Sequence, residues 1–221
     1  IEDGTIQKGG KEEKVLAEFN TADYDLIDAD GKPVLPGFID PHTHFVFAGY
    51  RDDEFNWRLQ GVSYEEIMER GGGIVNTVRP TRNATVDQLK KLGKKRLENM
   101  LQNGVTTVEG KSGYGLDTST ELKQLQVMSE LNQEEEVDIA STFMGAHATP
   151  EEYDSTDEFT EHIIQDMLPR VAEENNAEFC DIFCDKGAFS IEQSRKILSK
   201  AKELGFKLKV HADEIAGIGA A

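Results

Sequence analysis

Four of the five histidines in this sequence sit where they could share a metal ion. His42 and His44 flank Thr43 in PGFIDPHTHFVFAGYR, at the end of an apolar run that reads as a strand. Alternation along a strand sends both imidazoles to one side, and neutral imidazole is the commonest side-chain ligand for zinc and similar metals. An isolated His-x-His is more often incidental than metallic. Here, however, His147 closes VDIASTFMGAH and His211 closes FKLKV, both strand patterns, and barrel active sites are built at the C-terminal ends of strands. His162 lies among acids in EEYDSTDEFTEHIIQDML and reads as a surface residue.

Glu214 stands three residues beyond His211. From there a carboxylate can reach a metal-bound water without ligating the metal, take its proton and pass it to a leaving nitrogen. The competing assignment is an acid favoured by a helix start. Asp213 reads as a surface or capping residue.

The elements that must position these residues follow from periodicity. After Pro36-Gly37, short apolar runs bounded by Gly or Pro alternate with helical patterns over 86–102, 118–132, 157–175 and 190–204. Ser190 with Gln193 predicts a capping pair, and Gly104 and Gly205 predict helix stops. Five strands alternating with helices imply a parallel sheet built through right-handed crossovers. A closed (β/α)8 barrel needs about 250 residues, so about five of eight units are expected in residues 37–221. Residues 1–36 have little helical periodicity and read as short strands joined by Gly, Asn and Asp turns, a piece of a small β-sandwich domain.

Composition removes several function classes. The chain has 221 residues, 38% of them apolar, with a formal net charge of −18. That charge repels nucleic acid and anionic lipid, and no local basic cluster overrides it. The acids fall on helix faces and read as solvation. Its longest apolar runs fall far short of the ~20 residues of a membrane helix, and no secretory signal is seen at the start. Cys180 and Cys184 are four apart in EFCDIFCD, too far along a strand to bridge. Two small buried thiols suit a cytoplasmic location.

At this point the motifs converge on a family. PGFIDPHTH followed by Arg51, EGKSGYGL around Tyr114, MGAHATP around His147 and VHADE together resemble the imidazolonepropionase family of the amidohydrolase superfamily, from about Val34 to the last residue. His-x-His and His-x-x-Glu alone would indicate only the superfamily. The resemblance implies a partial TIM-like barrel, one zinc or iron ion on His42, His44 and His211, Glu214 as the catalytic carboxylate, and substrate contacts from Arg51, Tyr64, Tyr114 and His147. The implied reaction is hydrolytic opening of 4-imidazolone-5-propanoate to N-formimidoyl-L-glutamate. Arginine suits the propionate tail because its guanidinium forks onto a carboxylate. Some relatives bridge two metals with a modified lysine at the end of the fourth strand. Here Lys111 follows the second, so one metal is favoured and Lys111 reads as a structural charge. Ser112 and Gly113 read as a turn that aims Tyr114 inward, and residues 71–73 as a flexible loop near the pocket.

The resemblance also implies an aspartate ligand and a further catalytic histidine beyond Ala221. The 221 residues alone are therefore expected to be poorly stable and inactive. A small-molecule substrate is implied, with no nucleic-acid or membrane partner and a homodimer left open. The rival readings are a heterocycle deaminase of the same superfamily, which would release ammonia, and a non-catalytic fragment that binds or assembles.

Overall fold

The computed structural model describes residues 1–63, 66–67, 70 and 72–220. The chain divides into two compact units, Ile1–Pro36 and Gly37–Ala221.

In the first unit the expectation of short strands needs correction. Its described residues form a five-residue helix, α1 (Glu12–Leu16), a 3-10 turn at Thr21–Asp23 and a lone bridge between Glu2 and Thr5. A strand persists only where a neighbour answers its N–H and C=O groups. The apolar side chains that would line such a sheet, Ile6, Leu26, Ile27, Val34 and Leu35, are exposed. The turn chemistry itself is present: Asp3-Gly4 and Asp30-Gly31 adopt positive φ, and the Asn20 side chain accepts from the Ala22 amide.

The second unit is about five β/α units of a barrel. Strands β1 (Phe38–Thr43), β2 (Val105–Lys111), β3 (Asp138–Ala146) and β4 (Phe179–Cys184) run parallel in chain order. A fifth strand follows in two pieces, β5 (Lys207–Leu208) and β6 (His211–Ala212), both parallel to β4. The first crossover contains α2 (Asp52–Leu59), α3 (Val75–Asn83) and α4 (Val86–Gln102). The next ones contain α5 (Thr118–Glu134), then α6 (Thr156–His162) and α7 (Leu168–Glu174), then α8 (Ile191–Glu203).

Local sequence explains most of these boundaries. Thr85 with Gln88 and Ser190 with Gln193 form reciprocal capping boxes that start α4 and α8. Gly104 and Gly205 follow those helices at φ 84° and 94°, a region glycine enters without a Cβ penalty. The single helix expected over 157–175 is instead interrupted by a π turn at Ile163–Met167. Pro169 follows directly; it has no N–H for the preceding turn and its ring crowds the carbonyl four residues back, which loosens the ladder there.

Alternation sorts the strands into two faces. In β4, Cys180 and Ile182 join the apolar core with Leu89 and Leu97 of α4, Leu125 and Leu131 of α5, and Ile197 of α8. Alternating with them, Asp181 and Phe183 face the other way, where both meet His211, and Lys111 and Glu109 of β2 join Asp181 on that side. Both cysteines are free and buried. Among the described residues no helix is long and apolar enough to cross a membrane.

Candidate metal centre

His42 lies in β1, His44 one residue past its end, and His211 in β6. The structure brings one ring nitrogen of each within 4.8 Å of the others. Nε2 of His42 and Nε2 of His211 are 2.9 Å apart. Metal–nitrogen bonds of ~2.0–2.1 Å place tetrahedral ligands at intermediate N···N separations, so a small closure of the three rings suffices.

The second ring nitrogens show what the first can do. Nδ1 of His44 lies 3.0 Å from the Ser112 carbonyl, and a carbonyl only accepts, so Nδ1 carries the proton. Nδ1 of His211 lies 3.0 Å from Oδ2 of Asp181. In the neutral ring this leaves Nε2 of His211 as a bare lone pair facing His42. At 2.9 Å that lone pair can take a proton from Nε2 of His42 or share a metal ion with it, and the third nitrogen of His44 close by suits the metal. Burial lowers the pKa of His44 well below the ordinary value, with neighbouring His147 adding to the effect. Burial, then His211, lowers that of His42. Both shifts favour the neutral, ligating form.

Beneath these rings lies a layer of buried charge. Lys111 Nζ bonds Glu109 at 2.7 Å and Asp181 at 2.5 Å, and Lys209 reaches Glu109 at 2.6 Å. Thr142 donates to the same Glu109 oxygen. Burial alone would raise the Asp181 carboxyl, but hydrogen bonds from His211 and Lys111 together outweigh it and hold it at about 2. Buried ion pairs contribute little net stability; this one keeps an ionised carboxylate behind His211. Lys111 is thus a paired structural charge, as the sequence suggests.

A cleft of about 1410 Å³ opens beside the histidines, lined by Arg51, Tyr114, His147, Phe183, His211 and Glu214 among others. His147 follows β3 and stacks on His44 with ring centroids 4.9 Å apart and 16° between planes. Its Nδ1 donates to the Gly113 carbonyl at 2.9 Å, which leaves Nε2 as an acceptor, and burial lowers its pKa to about 4. The Tyr114 ring lies 5.2 Å from His44 and 5.5 Å from His147.

Glu214 is exposed on the loop after β6. That loop is gripped by Asp185, whose carboxylate accepts from the amides of Glu214, Ile215 and Ala216. Those amides, Ile215 first, lower the Asp185 pKa. Asp213 caps the following turn, accepting from the amides of Ile218 and Gly219.

Arg51 is fixed by Glu54, buried one turn into α2, at 3.3 Å. Glu54 also accepts from the Gly73 amide and the Asn76 side chain, so this part of the expected flexible loop is tied down. Tyr64 and Gly71 lie outside the described residues. His162 is half-buried rather than a plain surface residue: it lies 3.2 Å from Thr118 Oγ1 and stacks near Phe159.

Sequence reasoning missed Asp181, Glu109, Glu54 and Asp185. The usable signal was an acid breaking an apolar strand, as Asp181 does in FCDIFC.

The amidohydrolase family model matches residues 34–221. Curated proteins named imidazolonepropionase align along the whole chain, with 60% identity in Clostridium tetani and 52% in Parabacteroides distasonis. The chain spans about half the length of these relatives, 53% in both cases. Among solved structures, 5-methylcytosine deaminase from Klebsiella pneumoniae shares the fold. Its complex with phosphonocytosine gives a TM-score of 0.59 at 21% identity, over 86% of this chain and 44% of that one. Its complex with 5-fluorocytosine gives 0.56 at 19%, over 81% and 40%.

Proposed function

This chain belongs to the amidohydrolase family, and we propose that the protein carrying it is an imidazolonepropionase, hydrolysing 4-imidazolone-5-propanoate to N-formimidoyl-L-glutamate. The observation that carries this reading is the convergence of three histidine nitrogens beside a cleft lined by one of them, His211, together with Arg51 and Tyr114. The relatives' names agree with it.

His42, His44 and His211 would hold one zinc or iron ion. When bound, such an ion lowers the pKa of water and polarises the carbonyl under attack. Everything else falls to side chains. Arg51, oriented by Glu54, pairs with the propionate carboxylate, and the Tyr114 hydroxyl completes its shell. Nε2 of His147 is an acceptor by tautomer and takes a hydrogen bond from a ring N–H. Glu214 removes a proton from the attacking water as its oxygen bonds to the ring carbonyl carbon. It returns that proton to the ring nitrogen as the C–N bond breaks. Fixing both substrate ends before attack supplies much of the acceleration. The reducing cytoplasm suits the two free thiols.

The test is incubation of the protein at full length with 4-imidazolone-5-propanoate, following ultraviolet loss of the ring and product mass. Ring opening that a chelator stops and added metal restores is expected. Ammonia release with the ring intact would assign a deaminase instead.

A further inference from the structure

Residues 112–116, the SGYGL that follows β2, face two ways. Toward the cleft, the Ser112 carbonyl accepts from His44 and the Gly113 carbonyl from His147. Away from it, the amides of Gly113, Gly115 and Leu116 all donate to Glu121, at 2.9, 2.8 and 2.9 Å. The Tyr114 amide donates to Gln124, whose own side-chain amide donates to the Val46 carbonyl. Glu121 and Gln124 are fully buried in α5.

Among the described residues no lysine or arginine pairs with Glu121. A buried carboxylate without a cation is costly and is retained only where its hydrogen bonds are good. Here the loop is wrapped around it. Gly113 has φ 103°, and a Cβ there would come within 2.9 Å of the His147 ring; a Cβ on Gly115 would come within 2.8 Å of the Glu121 amide. Leu116 is held at φ 56°, where a leucine does not rest unaided. Ser112 is also tied to β3 through Thr142 and Met144. From Gly113 to Leu116, however, the side chains that hold the loop amides are Glu121 and Gln124, with Glu121 taking three of the four, and both histidine-orienting carbonyls adjoin that segment.

We infer that Glu121 is a positioning residue: by gathering three loop amides it aims the Ser112 and Gly113 carbonyls that fix the tautomers of His44 and His147, and with them the Tyr114 ring. His211 is oriented separately by Asp181, which provides an internal control.

The test is nitrogen-15 NMR of the metal-free protein at full length, comparing wild type with Glu121→Gln. Wild type should show slowly exchanging Nδ1 protons on His44, His147 and His211. Glu121→Gln should lose the first two and keep the third. Its metal affinity should fall about 10–100-fold, the range for lost outer partners of a ligand, and KM should rise. A variant that melts earlier but keeps all three signals, wild-type metal affinity and wild-type KM would overturn the inference, because the role would then be structural only. The metal and KM readouts rest on the imidazolonepropionase reading. The nitrogen signals need neither metal nor substrate, so failure of that reading leaves them decisive. Should Glu121→Gln not fold, amide exchange in wild type decides: protection of Gly113, Gly115 and Leu116 equal to that of β2 supports the inference, and exchange at exposed-loop rates overturns it.

Discussion

The two halves of the candidate site are held in different ways. His44 and His147 follow β1 and β3 of the parallel sheet, stack on each other and donate to backbone carbonyls of a buried loop. His211 and Glu214 belong to a two-residue strand and an exposed loop, held by two carboxylates of the β4 region, Asp181 and Asp185. The first half is thus organised by packing and the second by charge-assisted hydrogen bonds. Loss of a packed side chain carries a stability cost; the packed half depends on a carboxylate, Glu121, only through the loop it gathers, whereas His211 meets its carboxylate, Asp181, directly. Substitution separates the two.

The largest effect is expected from the ligands themselves. His44→Ala and His211→Ala should each abolish metal retention and reduce kcat/KM well beyond the ~100-fold that loss of an outer partner costs. Only His44→Ala should also lower the melting temperature clearly, since it leaves a void beside His147. Equal destabilisation by both would erase the distinction. Next, Glu214→Gln should reduce kcat by about 10²–10⁴, the usual range for a lost proton carrier, with metal content unchanged by elemental analysis.

Asp181→Asn addresses the hydrogen-bonded half alone. Metal affinity, measured by chelator competition, should fall about 10–100-fold, while the near-ultraviolet signature of the His44, Tyr114 and His147 cluster stays in place. Acid titration addresses the packed half. The folded pKa of His147 is about 4, below its unfolded value, so the unfolded chain binds the proton first. The contribution of His147 is intact above pH 6.5 and is lost as pH falls toward 4, by up to about 1.4 kcal/mol per pH unit. Denaturant unfolding of the metal-free protein across that window checks the sign, and His147→Gln should flatten the slope. The smallest effect belongs to Asp185→Asn, which weakens the grip on three amides. A few-fold lower kcat with unchanged metal binding is expected from steady-state kinetics.

The sequence displayed the packed half well. Strand-end histidines are visible because the period-2 apolar runs that carry them are visible, and α4 and α8 begin at capping boxes written into Thr85–Gln88 and Ser190–Gln193. It concealed the partners that orient those histidines. Asp181 meets His211 thirty residues away, and the carbonyls serving His44 and His147 come from backbone, which carries no side-chain signature. Glu121 looks like any helix-start acid until the loop is seen to fold back on it. The strands expected in residues 1–36 illustrate the converse. Asp3-Gly4 and Asp30-Gly31 adopt the positive φ of turn residues, but a strand depends on a neighbour that local sequence does not specify.

The most direct single measurement is an anomalous diffraction map, at the absorption edge of the bound metal, from crystals of the protein at full length. One peak is expected, about 2.0–2.2 Å from a ring nitrogen of each of His42, His44 and His211, with Asp181 still bonded to Nδ1 of His211. A peak among Glu109, Lys111 and Asp181, or no peak near the three histidines, would contradict the account.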